Sequence, residues 1–196
     1  MATRILTLIA FLFAVAFAPL PALAQDDLAA EINALGPGSF ADRTKAIDVL
    51  VAPGDERVPP VLQALSDGNL YIRRSDGKVV IAAKAAVGLQ LTDPVDGADL
   101  GALPASELEK IKTNNGLRGR IRTAIGKLTL LSPDQPVRLA AAQSVLKNAD
   151  PAMLELLDQA IAAETDPGIK STMELARSVI VLKTDASVDH KRAAID

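Results

Sequence analysis

Apolar residues recur at helical spacing in two successive segments within residues 132–164. Ser132 and Gln135 stand at capping-box spacing before the first segment, and Asp150-Pro151 supplies an N-cap and a first-turn proline for the second. The apolar positions are Val137, Ala141, Val145, Leu146, Leu154, Leu157 and Ile161, of which Leu146 and Leu157 are predicted core residues. The pattern predicts two short helices, and because neither is stable alone in water, they must pack on each other and on their neighbours.

The same layout occurs earlier in the chain, at a constant offset of 95 residues and without a gap. The matched residues are Arg43 and Arg138, Ala46 and Ala141, Leu50 and Val145, Val51 and Leu146, Asp55 and Asp150, Val61 and Leu156, and Leu62 and Leu157. A helix pair that cannot bury its apolar face alone stacks on the next pair. The sequence therefore predicts a helical-repeat fold.

The stretch between the two repeats has a different periodicity. Short apolar runs flank a turn-rich centre that contains Asp-Gly, and this predicts a β-hairpin over about residues 70–81. Residues 82–91 leave strand and helix both open, whereas residues 92–104 are predicted to form a loop because glycine, proline and aspartate interrupt them. A long helix is then predicted over 106–131, beginning with a capping box and carrying a kink or break at 114–116.

These segments predict one domain over residues 25–196. Its fold class is mostly α, a HEAT-like helical-repeat array that carries the hairpin and the loop as an insertion at 68–105. A further helix is predicted from Asp166-Pro167, and residues 187–196 begin another that stops without a polar cap. We therefore expect an array that is truncated at its C-terminus and that exposes the apolar residues Met173, Val179 and Ile180.

The first 24 residues have the features of a secretory signal peptide. Arg4 supplies a positive charge, residues 5–18 are an uncharged apolar run, and Ala22-Leu23-Ala24 is a small-x-small cleavage site. As a helix the run would extend about 21 Å, which is shorter than the roughly 30 Å hydrocarbon core of a bilayer. We therefore expect residues 1–24 to be removed and the mature protein to be exported.

Composition excludes some kinds of site. Apolar residues make up 49% of the chain and aromatic residues 3%, which suits closely packed small helices. The chain contains no cysteine, so disulfides and thiolate metal sites are excluded. The formal net charge of −3 gives no reason to expect nucleic acid as a partner.

Two features are candidate sites, and neither fits a known chemistry. Asp93, Asp96 and Asp99 are spaced by three, whereas a calcium loop needs ligands at alternating positions, a central glycine and a closing glutamate. His190 is the only histidine, and basic residues rather than an acid or a nucleophile adjoin it. No glycine-rich nucleotide-binding loop is present. We therefore expect a protein that is not an enzyme and has no catalytic residue, cofactor or metal.

A cluster of basic residues is the densest charge feature of the chain. Its members are Lys110, Lys112, Arg118, Arg120, Arg122 and Lys127. A solvated helix face, balanced in part by Glu107 and Glu109, explains the cluster most simply. Contact with anionic lipid headgroups or with a partner subunit is the alternative.

Six short segments follow one another in a fixed order through the middle of the chain. They are Gly68-Asn69-Leu70-Tyr71, Ser75-Asp76-Gly77-Lys78, Lys110 to Arg118, Leu130 to Asp134, Val137 to Ala141, and Glu164-Thr165-Asp166-Pro167. This series resembles the N-terminal extracytoplasmic region of the urea ABC transporter permease, in the branched-chain amino acid (LivH-type) permease family. The Asn-Asn-x-Leu-Arg segment is its most specific part.

The resemblance implies a non-catalytic domain of a permease for urea uptake, at the periplasmic face of the bacterial inner membrane. It implies the other transporter subunits as partners: the second permease subunit, the ATPase and the periplasmic substrate-binding protein. No run of about 20 apolar residues follows residue 24, so the chain would be a fragment without the membrane-spanning part. The alternative is a free-standing exported HEAT-like scaffold that binds another protein.

Overall fold

The computed structural model describes residues 23–193, which are mostly helical. The helices of this part are α1 (Leu23–Asn33), α2 (Phe40–Val51), α3 (Val58–Asp67), α4 (Asn115–Leu130), α5 (Gln135–Asn148), α6 (Leu154–Ala163) and α7 (Pro167–Ala193). The strands are β1 (Leu70–Arg73), β2 (Val79–Lys84), β3 (Leu89–Thr92), β4 (Asp99–Leu103) and β5 (Leu108–Lys110). Short 3₁₀ turns, Ala105–Glu107 and Pro151–Met153, precede β5 and α6. The prediction of a mostly α, helical-repeat fold with a small β insertion is confirmed.

The offset of 95 residues relates one three-helix unit, α1 to α3, to a second unit, α4 to α6. Ser39 and Asp134, which are 95 residues apart, are the N-cap residues of α2 and α5. Leu62 in α3 and Leu157 in α6 are likewise equivalent, and both are fully buried. The repeat seen in the sequence is therefore a repeat of packed helices.

An arginine closes the turn before the second helix in both units. Arg43 donates from Nε to the carbonyl of Leu35 and from Nη2 to the carbonyl of Gly36, at 3.1 and 2.8 Å. Its counterpart Arg138 donates from Nη1 to the carbonyls of Ser132 and Pro133, at 2.9 and 3.0 Å. Carbonyls beyond a helix C-terminus have no partner within the helix, so the same side chain satisfies them twice.

The helical core divides into two clusters that meet along α4. Leu117, Ile121 and Ala124 of α4 belong to the cluster built with α1, α2, α3 and the sheet. Leu130, at the end of the same helix, belongs to the cluster built with α5, α6 and α7. Helix α4, the first helix of the second unit, therefore also packs against the first unit. The groove between the units runs along this helix.

The sheet is antiparallel, with strand order β4-β3-β2-β1-β5. In the predicted hairpin Leu70 pairs with Ile81 and Ile72 pairs with Val79, which confirms strands on either side of the turn. Leu70 and Val79 pack into the first helical cluster. The opposite face carries a smaller cluster made of Val80, Ala82, Leu91 and Leu108.

Two predictions between the repeats are wrong. Residues 92–104 are not all loop, because Asp99–Leu103 forms β4 against β3. The long helix does not begin near residue 106, because residues 108–110 form β5 against β1 and the helix starts at Asn115. Asn114, where the sequence predicts a kink, is its N-cap and accepts a hydrogen bond from the Leu117 N–H at 2.8 Å. The β insertion thus extends to Lys110.

The last helix buries most of the apolar face that was expected to be exposed. Met173 and Ile180 are fully buried in the second cluster, and Val179 is half-buried against it. Among the α7 side chains that the structure describes, up to residue 184, the large exposed apolar ones are instead Leu175 and Leu182. The helix continues through 187–193, where a separate helix was predicted.

None of the helices in residues 23–193 combines the length and the hydropathy that a membrane span requires. The predicted signal peptide lies outside the described residues, apart from its last two positions in α1.

Candidate functional site

A cleft of about 280 Å³ opens between α3, α4 and α5, where the two units meet. Apolar side chains that line it are Ile125, Ala141, Val145 and Met153. Polar side chains that line it are Gln63, Ser66, Arg122, Thr129, Ser144, Asn148 and Asp150. Because these residues come from both units, the cleft is formed only when the units stack.

Gly126 sets the depth of this cleft. It is a buried residue of α4, and a Cβ built on it would overlap Cε of Met153 and lie 3.1 Å from Cδ2 of Leu156. Glycine therefore leaves room for the Met153 side chain to lie directly against the backbone of α4. The close approach brings the side chain of Met153 against the inner wall of the cleft.

An ion pair crosses the cleft from α4 to the turn before α6. Arg122 Nε lies 2.9 Å from Asp150 Oδ2, with the arginine side chain 59% exposed and the aspartate 24% exposed. Asp150 Oδ1 also accepts a hydrogen bond from the Ala152 N–H at 3.0 Å. Among the described residues that line the cleft, Arg122 and Asp150 are the charged ones.

A second ion pair, between Arg138 and Glu164, lies in the interior beside the same unit. Glu164 accepts from Arg138 Nε at 2.7 Å and from Nη2 at 3.1 Å, and the N–H groups of Thr165 and Asp166 donate to it. The hydrogen bonds from Arg138, together with these N–H groups, lower the pKa of Glu164 to about 2. The pair joins α5 to the end of α6 and serves the fold.

The basic cluster does not form the single face that was expected. Arg120 and Arg122 project from opposite sides of α4, where Arg120 pairs with Asp48 of α2 at 2.5 Å and Arg122 pairs with Asp150. Lys110 belongs to β5, and its Nζ lies 5.9 Å from the centroid of the Tyr71 ring. Residues two apart on a helix point in different directions, so Arg120 does not share a surface with Arg122.

The loop aspartates hold turns together. Asp93, Asp96 and Asp99 each accept a hydrogen bond from the backbone N–H two residues further on, at 2.8 Å. In residues 23–193 no group of acids and histidines is placed to hold a metal ion. The side chain of His190 lies outside the described part of the chain.

Sequence reasoning named Arg122 only as a member of the basic cluster, and it missed the cleft as a site for a clear reason. Ser66, Arg122 and Asp150 lie on three elements that are distant in sequence. Gly126 was a local signal, shared with Gly119 of the same helix, since a glycine inside a helix costs stability.

Comparison with known proteins yields one informative relative. No family model and no solved structure matches the chain. The bilin biosynthesis protein PecF of Nostoc sp. (strain PCC 7120) is 30% identical to it over 151 residues, which cover 70% of this chain and 87% of PecF.

This similarity overturns the resemblance to the urea ABC transporter permease. The prediction of a permease domain for urea transport, with an ATPase, a second permease subunit and a substrate-binding protein as partners, is wrong. The segments that suggested it are requirements of the fold: Asn114 caps α4, and Arg138 closes the turn before α5. Any stacked helical unit needs such groups. The chain belongs to the family of the bilin biosynthesis protein PecF.

Proposed function

We propose that this protein is a non-catalytic bilin-binding protein that serves bilin biosynthesis and holds its ligand in the cleft between the two units. The observation that carries the proposal is the cleft itself, with apolar walls and one charged pair. Sites for small organic ligands commonly combine an apolar lining with a few polar groups. Membership of the PecF family supports a bilin as the ligand.

The chemistry of a bilin suits these walls. A bilin is an open chain of linked pyrrole rings, with N–H donors on the rings and propionate side chains. The flat ring faces would contact Ile125, Val145 and Met153, which line the cleft. The cleft volume of about 280 Å³ lies near the lower end of ligand sites, which span about 300–1,000 Å³. Part of the bilin is therefore enclosed, and the remainder lies along the open groove.

We propose binding without bond formation because the polar groups of the cleft are already engaged. The Thr129 hydroxyl donates to the carbonyl of Ile125 at 2.8 Å, and both oxygens of Asp150 accept hydrogen bonds or ion-pair contacts. Covalent catalysis needs a nucleophile beside a general base. The Ser144 hydroxyl accepts a hydrogen bond from the Asn148 amide at 3.4 Å, and the carboxylate of Asp150 is paired with Arg122.

The proposal also includes export, on the strength of the signal-peptide pattern in residues 1–24. Mass analysis of the mature protein tests it directly. We expect a chain that begins at Gln25, and a mature chain that retains Met1 would contradict export.

Biliverdin is the probe that tests binding. We expect a saturable change in its visible absorption on addition of the protein. Ser144→Trp should weaken binding by at least about tenfold, because the indole would fill the cleft. Gln143→Trp is the matched control, since Gln143 is an exposed neighbour on α5 that does not line the cleft.

Two results would contradict the proposal. One is an absorption change that Ser144→Trp and Gln143→Trp affect equally. The other is pigment that stays attached after the protein is unfolded in denaturant, because this would show a covalent bond to the protein.

A further inference from the structure

The two units differ at the aspartate that precedes their last helix. In the first unit Asp55 accepts hydrogen bonds from Arg57, from the backbone N–H at 2.8 Å, Nε at 3.0 Å and Nη2 at 2.6 Å. In the second unit Asp150 keeps the backbone hydrogen bond, but Ala152 stands in the place of Arg57. In both units, therefore, the hydrogen bond from the backbone N–H to the aspartate forms the turn. In the second unit no arginine two residues further on pairs with the Asp150 carboxylate.

Asp150 instead pairs with an arginine from another helix. The contact is a single one between Arg122 Nε and Asp150 Oδ2, whereas Arg57 contacts both oxygens of Asp55. Arg122 is also more exposed than Arg57, at 59% against 39%. A single exposed contact of this kind contributes little to the stability of the fold. Breaking it so that each side chain can contact a ligand therefore costs little free energy.

We propose that Arg122 and Asp150 are the polar recognition pair for the bilin, an inference that rests on the proposed function. The Asp150 carboxylate accepts N–H groups of the pyrrole rings. The Arg122 guanidinium binds a propionate carboxylate, for which its planar set of donors is well matched. The two side chains of the pair thus separate when the ligand enters, and each charge meets a complementary group on the bilin.

This arrangement has a spectroscopic consequence. A carboxylate beside the ring nitrogens favours the protonated, cationic form of the bilin, because an opposite charge nearby stabilises the charged state. The pKa of the bound chromophore is therefore raised relative to the free pigment. Arg122 is the other charged group that lines the cleft, and its engagement with a propionate leaves Asp150 free to act on the rings.

The test uses biliverdin and its dimethyl ester, whose propionates carry no charge. The wild-type protein should bind the ester at least about tenfold more weakly than the acid, whereas Arg122→Gln should bind both with similar affinity. Asp150→Asn keeps an oxygen for the Ala152 N–H, and so preserves the turn. It should lower the pH midpoint of chromophore protonation by about one unit or more. Arg177→Gln removes an exposed arginine that pairs with Asp158 away from the cleft, and should change neither quantity.

The outcomes separate this inference from the proposed function. If the wild-type protein does not bind biliverdin, the proposed function fails and this inference fails with it. If it binds and Ser144→Trp blocks binding, the proposed function stands. In that case an unchanged acid-to-ester ratio in Arg122→Gln, or an unchanged protonation midpoint in Asp150→Asn, overturns the recognition pair alone.

Discussion

Arg138 holds the side chain of Glu164 in the protein interior through two hydrogen bonds, from Nε at 2.7 Å and from Nη2 at 3.1 Å. The Glu164 side chain is only 1% exposed. The same arginine donates to the carbonyls of Ser132 and Pro133, before α5. One guanidinium therefore joins the end of α4, the start of α5 and the end of α6.

Removing the charge of Glu164 should destabilise the protein more than removing an exposed carboxylate does, because the Glu164 side chain is buried. The partner that would remain, Arg138, is partly exposed and keeps its hydrogen bonds to two backbone carbonyls, so the loss should be smaller than for a fully buried pair. We expect Glu164→Gln to lower the free energy of unfolding in urea at neutral pH by clearly more than Asp158→Asn does. Asp158→Asn breaks the exposed pair with Arg177 and should cost less than about 1 kcal/mol. Equal losses in the two variants would show that the interior pair has no special role.

The contribution of Glu164 should depend on pH. Its pKa is about 2 in the folded protein against 4.5 for the ordinary side chain, chiefly because Arg138 donates hydrogen bonds to it. A carboxyl group whose pKa is lower in the folded than in the unfolded protein stabilises the folded state at pH values above its unfolded pKa. This stabilisation is lost as the pH falls from about 4.5 towards 2. The difference in stability between the wild-type protein and Glu164→Gln should therefore be constant above about pH 5 and shrink below it. A difference that stays constant down to about pH 3 would contradict this assignment.

A side chain at Gly126 should be less well tolerated than one at Gly119. A Cβ at Gly126 overlaps Cε of Met153 and crowds Cδ2 of Leu156, so these flexible side chains must shift, and Gly126→Ala loses at least part of the gain in helix propensity. Gly119 lies on the same helix, and a Cβ added there would meet no atom within 4 Å, so Gly119→Ala should stabilise the protein by about 0.5–1 kcal/mol. Thermal unfolding of both variants checks the pair. If Gly126→Ala is as stable as Gly119→Ala, α4 and the turn before α6 are not in close contact.

Leu157 and Leu146, both predicted to be core residues, should differ in their importance. Leu157 is fully buried, whereas Leu146 packs half-buried at the edge of the second cluster. Leu157→Ala should cost about 2–5 kcal/mol, as expected for a fully buried leucine, and Leu146→Ala should cost clearly less. Denaturant unfolding measures both. A larger loss at Leu146 would mean that α5 is rotated about its axis.

Local signals predicted α5 and α6 well. The N-cap and first-turn proline at Asp150-Pro151 and the apolar spacing through Leu157 belong to neighbouring residues, and no distant contact opposes them. The hairpin was predicted correctly for the same reason, because the Asp-Gly turn and the flanking apolar residues specify it locally.

Long-range pairing explains what the sequence did not reveal. Ser106 and Glu109 have capping-box spacing, yet residues 108–110 pair with β1, and the Ile111 N–H donates to the carbonyl of Leu70 at 3.1 Å. The free edge of β1 outweighs a local helix signal. The cleft was hidden in the same way, because Arg122 and Asp150 come together only through the packing of α4 on the turn before α6.

The central claim is that the cleft between the units binds a bilin, and hydrogen exchange with and without biliverdin tests it most directly. Ligand binding slows exchange where it suppresses local opening of the elements that it contacts. We predict slower exchange in α3, α4, α5 and the turn at 150–153, with the sheet at 79–103 unchanged. Protection centred on the sheet, or no change at a saturating concentration of biliverdin, would contradict the claim.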